Sequence, residues 1–236
     1  MGKSKIQDIK LYLEELLNRI KVHDYQYTVN SEELKFLAEL SKHKYNYVRA
    51  EVADILGYIK NTSETEKLLI EMLSDKNWLV RADAAESLGK KAEKQEAILE
   101  LCKQIDKDDD VIAMEYMIKA IADIVLGCNL DKLKYIEILK SIKTKHKYYK
   151  LQHSCVSSLC KLGEMQYFSE YEKDIRSSNS HKVESVLVNL RNMVEDGILI
   201  LKVVELVKTI PQSNNDDLWY HNETIKDILK FESCKG

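Results

Sequence analysis

The sequence predicts an all-α protein in which short helix pairs stack into an α-solenoid of about five to six pairs. Three observations predict it. Gly and Pro number only 7 and 1 in 236 residues, too few for the many special backbone angles an all-β chain of this length needs. Apolar residues make up 44% and charged residues 32%, a composition that folds. Finally, the chain repeats itself. Residues 47–57 read YVRAEVADILG and residues 79–89 read LVRADAAESLG. At a 32-residue offset Val48 aligns with Val80, Arg49 with Arg81, Ala50 with Ala82, Glu51 with Asp83, Ala53 with Ala85, Asp54 with Glu86, Leu56 with Leu88 and Gly57 with Gly89. Such a period is the signature of a repeat array, whose core grows along one axis.

Taken in order, an opening helix is predicted over Ser4 to Lys21. Weaker copies of the repeated segment follow at Ile112 to Gly127, Leu151 to Gly163 and Val183 to Met193, with Ala113, Gln152 and Glu184 in the place of the Arg. The anchors Val48, Val80, Ile112, Leu151 and Val183 are spaced 32, 32, 39 and 32, and Gly127 to Leu130 supplies the long step. A preceding helix is predicted before each copy: Glu32 to Leu40, Glu66 to Leu73, Gln95 to Ile105, Leu133 to Ile142 and Met165 to Ile175. Ile198 to Ile210 and a last helix near Asp217 to Phe231, carrying Leu218, Ile225, Ile228 and Leu229, close the chain. Apolar residues recur at three and four positions, so each helix buries one face. The expected organisation is one solenoid over 1–236: a capping helix and link (1–30), repeats (31–210) and a C-terminal capping helix (211–236).

Capping residues set the boundaries. Ser4 with Gln7, Ser63 with Glu66 and, more loosely, Asn30 with Glu33 fit the capping-box pattern. Gly57, Gly89, Gly127 and Gly163 follow periodic segments, where a left-handed helix cap favours Gly. Pro211 ends the helix before it.

The segments YVRAEVADILG and LVRADAAESLG resemble the second helix of HEAT repeats, especially the short bacterial kind also found in phycobilin lyases. The resemblance is strongest over Ser31 to Lys91 and fades beyond Gly163. It implies a right-handed superhelix whose second helices line a concave surface. It also implies a ladder in which an Asp six residues before the Arg helps to link the repeats. Asp75 and Arg81 fit that spacing. His43 stands where Arg49 would have its Asp, and the later copies lack the Arg, so the expected ladder is short.

The net charge of −3 argues against a general nucleic-acid binder, which must neutralise phosphates. Phosphate-binding glycine loops and the zinc-protease and serine-hydrolase signatures are absent. No cofactor or metal is expected, and no enzyme activity. Met1 to Gln7 is polar, so no signal peptide is predicted. The apolar cluster Gly197 to Val204, broken by Lys202, is too short to span a bilayer. Cys102, Cys128, Cys155, Cys160 and Cys234 form no CxxC and read as reduced thiols of a cytoplasmic protein. His153 and Cys155 point in different directions on a helix and read as a surface His and a core Cys.

Charge on the second helices is the informative feature. With Val80, Ala84 and Leu88 turned inward, Asp83 and Glu86 face outward, as do Glu51 and Asp54 one repeat back and Glu115 one repeat on. They form either a solvated face or an electrostatic seat for a basic partner. Tyr45, Tyr47, Tyr58, Trp78 and Tyr116 accompany them, with Tyr58 and Trp78 preferred as anchors. The opposite charge gathers in KSIKTKHKYYK, Lys140 to Lys150, a pattern of nucleic-acid contact or of a lysine-rich helix end. The acidic run Asp106 to Asp110 reads as a helix cap. The first reading is therefore a monomeric protein-binding module holding a basic protein; the resemblance allows an immunity protein that neutralises a cationic toxin, or an assembly adaptor. The others are a HEAT-like enzyme (bilin lyase or DNA glycosylase) and a nucleic-acid binder through Lys140 to Lys150.

Overall fold

The computed structural model describes residues 2–23, 27–91, 95–210 and 219–231, with side chains for 6–23, 27–91, 95–210 and 221–231. Pro211, Asp217, Leu218 and Cys234, and the side chain of Ser4, lie outside the described residues. The regular elements among the described residues are all helical, and the chain forms two compact units, Met1–Leu130 and Asp131–Gly236.

The first unit is a short α-solenoid of an opening helix and three pairs: α1 (Gly2–Val22), α2 (Ser31–Leu40), α3 (Asn46–Tyr58), α4 (Ser63–Met72), α5 (Trp78–Lys91), α6 (Gln95–Ile105) and α7 (Val111–Gly127). Each first helix packs on its second, and the second helices α3, α5 and α7 pack side by side, with α1 against α3. The spacing of apolar residues explains this. Val48, Val52, Ile55 and Leu56 of α3 and Val80, Ala84 and Leu88 of α5 are at most 2% exposed. They recur at three and four residues, so they fall on one side of each helix. Leu37, Leu69, Ile98 and Leu101 of the first helices close the core from the other side.

Two glycines set the spacing of the second helices. Gly57 and Gly89 lie inside α3 and α5 and are not the left-handed caps the sequence suggests. A Cβ on Gly57 would stand 2.4 Å from Ser87 Oγ, and one on Gly89 would stand 3.1 Å from Ala120 Cα. Their missing side chains let neighbouring helices touch. Ser87 uses the approach to donate a hydrogen bond to the Ala53 carbonyl at 2.8 Å. Gly127 is the last residue of α7 and the left-handed position after it is Asn129, at φ 50°, whereas Gly163, at φ 111°, is the one predicted glycine cap that forms.

Other boundaries shift locally. Asn30 and Glu33 form the expected capping box of α2. The box at α4 is built one residue earlier, by Thr62 with Thr65 rather than Ser63 with Glu66. Ser4 is not a cap, because α1 already begins at Gly2. Asp110, from the acidic run, caps α7 by accepting from the amides of Ile112 and Ala113.

The second unit holds α8 (Lys132–Lys145), α9 (Tyr149–Leu162), a 3₁₀ turn (Met165–Tyr167), α10 (Phe168–Asp174), α11 (Ser180–Glu195), α12 (Ile200–Lys208) and α13 (Trp219–Lys230). The helix expected over Met165 to Ile175 is thus divided into a 3₁₀ turn and two turns of α-helix. The tight Gly163 cap feeds straight into the 3₁₀ turn, where Tyr167 N bonds back to the Glu164 carbonyl. The core of this unit gathers Val156, Phe168, Tyr171, Val186, Leu190, Val203 and Ile228.

Candidate functional site

The repeat places two kinds of charge on the second helices of the first unit. At their N-terminal ends sits the ladder. Arg49 grips Asp75 with two parallel bonds, Nε to Oδ2 at 2.6 Å and Nη2 to Oδ1 at 2.7 Å. Arg81 grips Asp108 in the same way, at 2.7 and 2.6 Å. Each Arg also donates to a carbonyl six residues back, His43 for Arg49 and Asp75 for Arg81. Gln152, in the Arg place of a later copy, keeps that last bond, donating to the His146 carbonyl at 3.2 Å.

The ladder therefore runs forward from one repeat to the next. The sequence paired Asp75 with Arg81 by the six-residue spacing, but the Asp75 carboxylate belongs to Arg49, and Arg81 meets only its backbone oxygen. The Arg81 carboxylate is Asp108, which sequence reasoning had left in the acidic run. Both acids orient themselves by a local turn, accepting from the amides of Asn77 and Asp110 two residues on. Burial alone would raise these carboxyls. The guanidinium bonds and the turn amides outweigh it, so both titrate below the usual range.

Further along the same helices lie the predicted acidic residues. Glu51 is exposed, and Asp54, Asp83, Glu86 and Glu115 are half-buried. Burial, then the charges of Asp54 and Glu86 and more weakly Glu51, push the Asp83 carboxyl up to about 7, against an opposing effect of Lys90. Asp54 is raised by burial and Glu86, opposed by Lys90 and Lys21. Glu51 is raised by burial, Asp54 and Glu14, opposed by Lys10. The structure thus brings the carboxylates of two repeats into mutual repulsion. Glu115 stands at the end of the row, where it, Glu86 and Asp83 act after burial to raise the Tyr116 hydroxyl.

The cation inside this wall is Lys90, which binds Glu86 at 3.0 Å and sits 5.0 Å from the centre of the Tyr58 ring. Tyr58 therefore holds a lysine of its own chain, which the sequence did not anticipate. Trp78 stands 39% exposed at the start of α5, and Tyr47 51% exposed at the start of α3, stacked on Tyr45 at 5.6 Å.

The basic run is more neutral than it reads in the sequence. Lys140 faces Glu137 at 2.9 Å and Glu164 at 3.5 Å, and Lys143 faces Glu170 at 2.8 Å. Tyr148 is 62% exposed between the helices.

His153 is 1% exposed and not on the surface. Its Nδ1 lies 3.0 Å from Ser185 Oγ and its Nε2 3.1 Å from Asp174 Oδ2, and Lys182 holds the other oxygen of Asp174 at 2.9 Å. Burial lowers the His153 pKa against the pull of Asp174. With Ser185 only 6% exposed, the trio is a buried tie between α9, α10 and α11. Cys155 and Cys160 are buried, and burial pushes their thiols up to about 12 and about 11, which makes them inert as nucleophiles. Among the described residues no group of three His, Cys, Asp or Glu side chains could hold a metal ion, and no helix is long and apolar enough to cross a membrane.

No curated protein matches the chain. Among solved structures, a crystal structure of an engineered protein from the Northeast Structural Genomics Consortium is similar over 88% of this chain and 98% of its own, at 15% identity and a TM-score of 0.38. A second engineered protein from the same consortium is similar over 84% of this chain, at 16% identity and a TM-score of 0.37, and the match spans 58% of that protein's length. The family model described as HEAT repeats matches residues 33–121. That segment, which runs from α2 into α7 and holds the whole Arg–Asp ladder, is similar to HEAT repeats.

Proposed function

We propose that the chain is a non-enzymatic protein-binding scaffold, and that the acidic wall of α3, α5 and α7 seats a basic segment of another protein. One observation carries the reading. Burial, with the charges of Asp54 and Glu86 added to it, raises Asp83 to about 7, and Lys90 binds Glu86 beside it at 3.0 Å. A folded protein gains nothing from such repulsion by itself. A lysine or arginine from a partner would relieve it, and a field of one sign also speeds encounter with a basic protein. The role that joins these features most simply is that of an immunity protein, with a cationic toxin domain as the partner whose activity the bound chain blocks.

The test is affinity for the basic partner recovered from the native host. Asp83→Lys with Glu86→Lys replaces two attractive charges by two repulsive ones, so binding should fall at least about a hundredfold in low salt, where charge pairs at interfaces couple by about 1.5 kcal/mol or more each. The wild-type affinity should also fall as salt is added. An affinity unchanged by the double substitution refutes the acidic seat. Co-expression with the partner separates the roles: a toxic partner rescued by the wild-type chain, and not by the double variant, supports immunity, and a harmless partner leaves an assembly adaptor.

A further inference from the structure

We infer that the groove between α1 and α3 takes a large apolar side chain of the same basic partner, so that the partner segment carries an apolar anchor beside its lysines or arginines. This rests on the reading of the acidic wall as a docking face.

The repeat itself lays out the pattern. Tyr47, Glu51, Asp54 and Tyr58 are spaced four, three and four residues apart, which puts them on one face of α3. Their counterparts 32 residues on are Leu79, Asp83, Glu86 and Lys90, on the same face of α5. Across the two helices this gives an apolar row, Tyr47 and Leu79, and then two acidic rows. Tyr47 and Leu79 are 51% and 36% exposed, so the apolar row is not spent on the core.

The groove opens at the apolar row. It encloses about 360 Å³, with Ile6, Ile9, Leu13, Tyr47 and Val48 as its apolar lining. That is the size of a small-ligand cleft, about 300–1,000 Å³. Leu13 and Val48 are 3% and 2% exposed and form the floor, while Ile6 and Ile9 are half-buried and form one wall. Its rim carries Glu14 and Glu51 against Lys10, and Glu51 is also a member of the acidic wall through its repulsion with Asp54.

One carboxylate therefore belongs to both features. From Tyr47 to Asp54 is seven residues, about 10 Å along a helix. A single short segment can place an apolar side chain in the groove and its cations on the wall. The charge of the rim favours a basic flank over an acidic one, and the apolar lining favours Leu, Ile, Met or Phe over a polar anchor. A purely electrostatic seat would need no such groove beside it.

Two synthetic nonapeptides of equal positive charge, one with a central Leu and one with Ala, test this by fluorescence anisotropy against the full chain at low salt. The Leu peptide should bind about tenfold tighter or more, as burying a leucine in an apolar site predicts. Ile9→Trp fills the groove and should remove that difference. Tyr47→Ala, at an exposed position that folding tolerates, should shrink the difference by opening the lining. Asp83→Asn with Glu86→Gln should weaken both peptides alike. Equal affinity for the two peptides, or a preference for Leu that survives both groove variants, overturns the inference while the acidic seat stands. If neither peptide binds, the seat and the anchor fall together.

Discussion

Replacing Arg81 by Leu should cost the first unit about 3–5 kcal/mol, the usual loss when one partner of a buried ion pair is removed. The structure places this pair at the upper end. The Arg81 side chain is 9% exposed and that of Asp108 is 0%, and the two share two parallel bonds at 2.6 and 2.7 Å. Without the guanidinium, Asp108 keeps only the Asp110 amide and a long contact from Gln104 at 3.5 Å. Burial, already the largest influence on this carboxyl, then outweighs the bonds that remain and raises it. The Asp75 carbonyl also loses its 2.9 Å donor. For a unit of this size the change corresponds to roughly 6–20 °C in Tm. Urea unfolding followed by Trp78 fluorescence, in a Trp219→Phe background, reads the first unit separately. The sign with pH follows from the depressed Asp108 pKa. The stabilisation is present above the unfolded carboxyl value near 3.9 and is lost as pH falls through the lower folded value. The gap between wild type and variant should therefore shrink below about pH 4. Arg81→Leu with Asp108→Leu should recover most of the loss, since a buried pair is often no better than apolar residues in its place. A cost under about 1 kcal/mol for the single change, or a double variant no better than the single, refutes the argument that Asp108 depends on Arg81.

Gly57→Ala should destabilise the first unit by about 1–3 kcal/mol through overpacking, because its Cβ would meet Ser87 Oγ at 2.4 Å and Ser87 Cβ at 2.9 Å; Ser87→Gly in the same chain should return part of the loss in thermal melts, and Ser87→Ala less. The acidic wall should stabilise the first unit as pH falls from about 7 towards 4, because Asp83 binds its proton more tightly folded than unfolded. Asp83→Asn should flatten that dependence and raise stability at pH 8 by roughly 1–2 kcal/mol, allowing for solvent screening at a half-buried site. The second unit should respond in the opposite sense: His153, held below its ordinary value of 6.5, adds stability above that pH that is lost as the pH falls from there through the lower folded value, and His153→Gln should flatten the slope between pH 7 and 5 in denaturation curves. Binding of the basic partner should tighten from pH 6 to pH 8 as Asp83 ionises, measured by titration calorimetry, and Asp83→Asn should remove that trend.

Most helices were legible because a buried helix face writes a three-and-four spacing into its apolar residues. Gln95 to Ile105 is bounded in the structure as it is in the sequence pattern. The acidic positions were legible for the same reason, since a 32-residue period carries each outward position to the matching place on the next helix. What the sequence hid depends on contacts between repeats. A glycine that ends an apolar period looks the same whether it caps the helix, as Gly163 does, or makes room for the next one, as Gly57 and Gly89 do. Asp108 was hidden by one inserted residue: Arg49 reaches its acid 26 residues ahead and Arg81 reaches its own 27 ahead, so strict periodicity pointed to a neighbour. The buried His153 was missed because its partners, Asp174 and Ser185, lie 21 and 32 residues away on helices whose packing no local pattern reveals. A different signal could have found Asp75 and Asp108. Each begins an Asp-x-Asn or Asp-x-Asp turn just before a second helix, a local motif in which the acid bonds the amide two residues on.

The two charged features of the repeats are connected through the close packing of the helices. Gly57 and Gly89 let α3, α5 and α7 touch. That contact buries the apolar faces, but it also brings the charges of Asp54, Asp83 and Glu86 to bear on one another, which adds to burial in raising Asp54 and Asp83. In the first turns of the same helices, just before the acidic positions, Arg49 and Arg81 tie each repeat to the acid of the next. The ladder thus opposes the tendency of the wall to push the helices apart. The arrangement makes a specific demand on evolution or design. Removing the wall's charge should leave the ladder's helices more stable, and removing the ladder should be most damaging when the wall is fully ionised. Arg81→Leu ought therefore to cost more at pH 8 than at pH 6, and Asp83→Asn ought to reduce that extra cost. A purely additive pair of changes at pH 8 would rule the connection out.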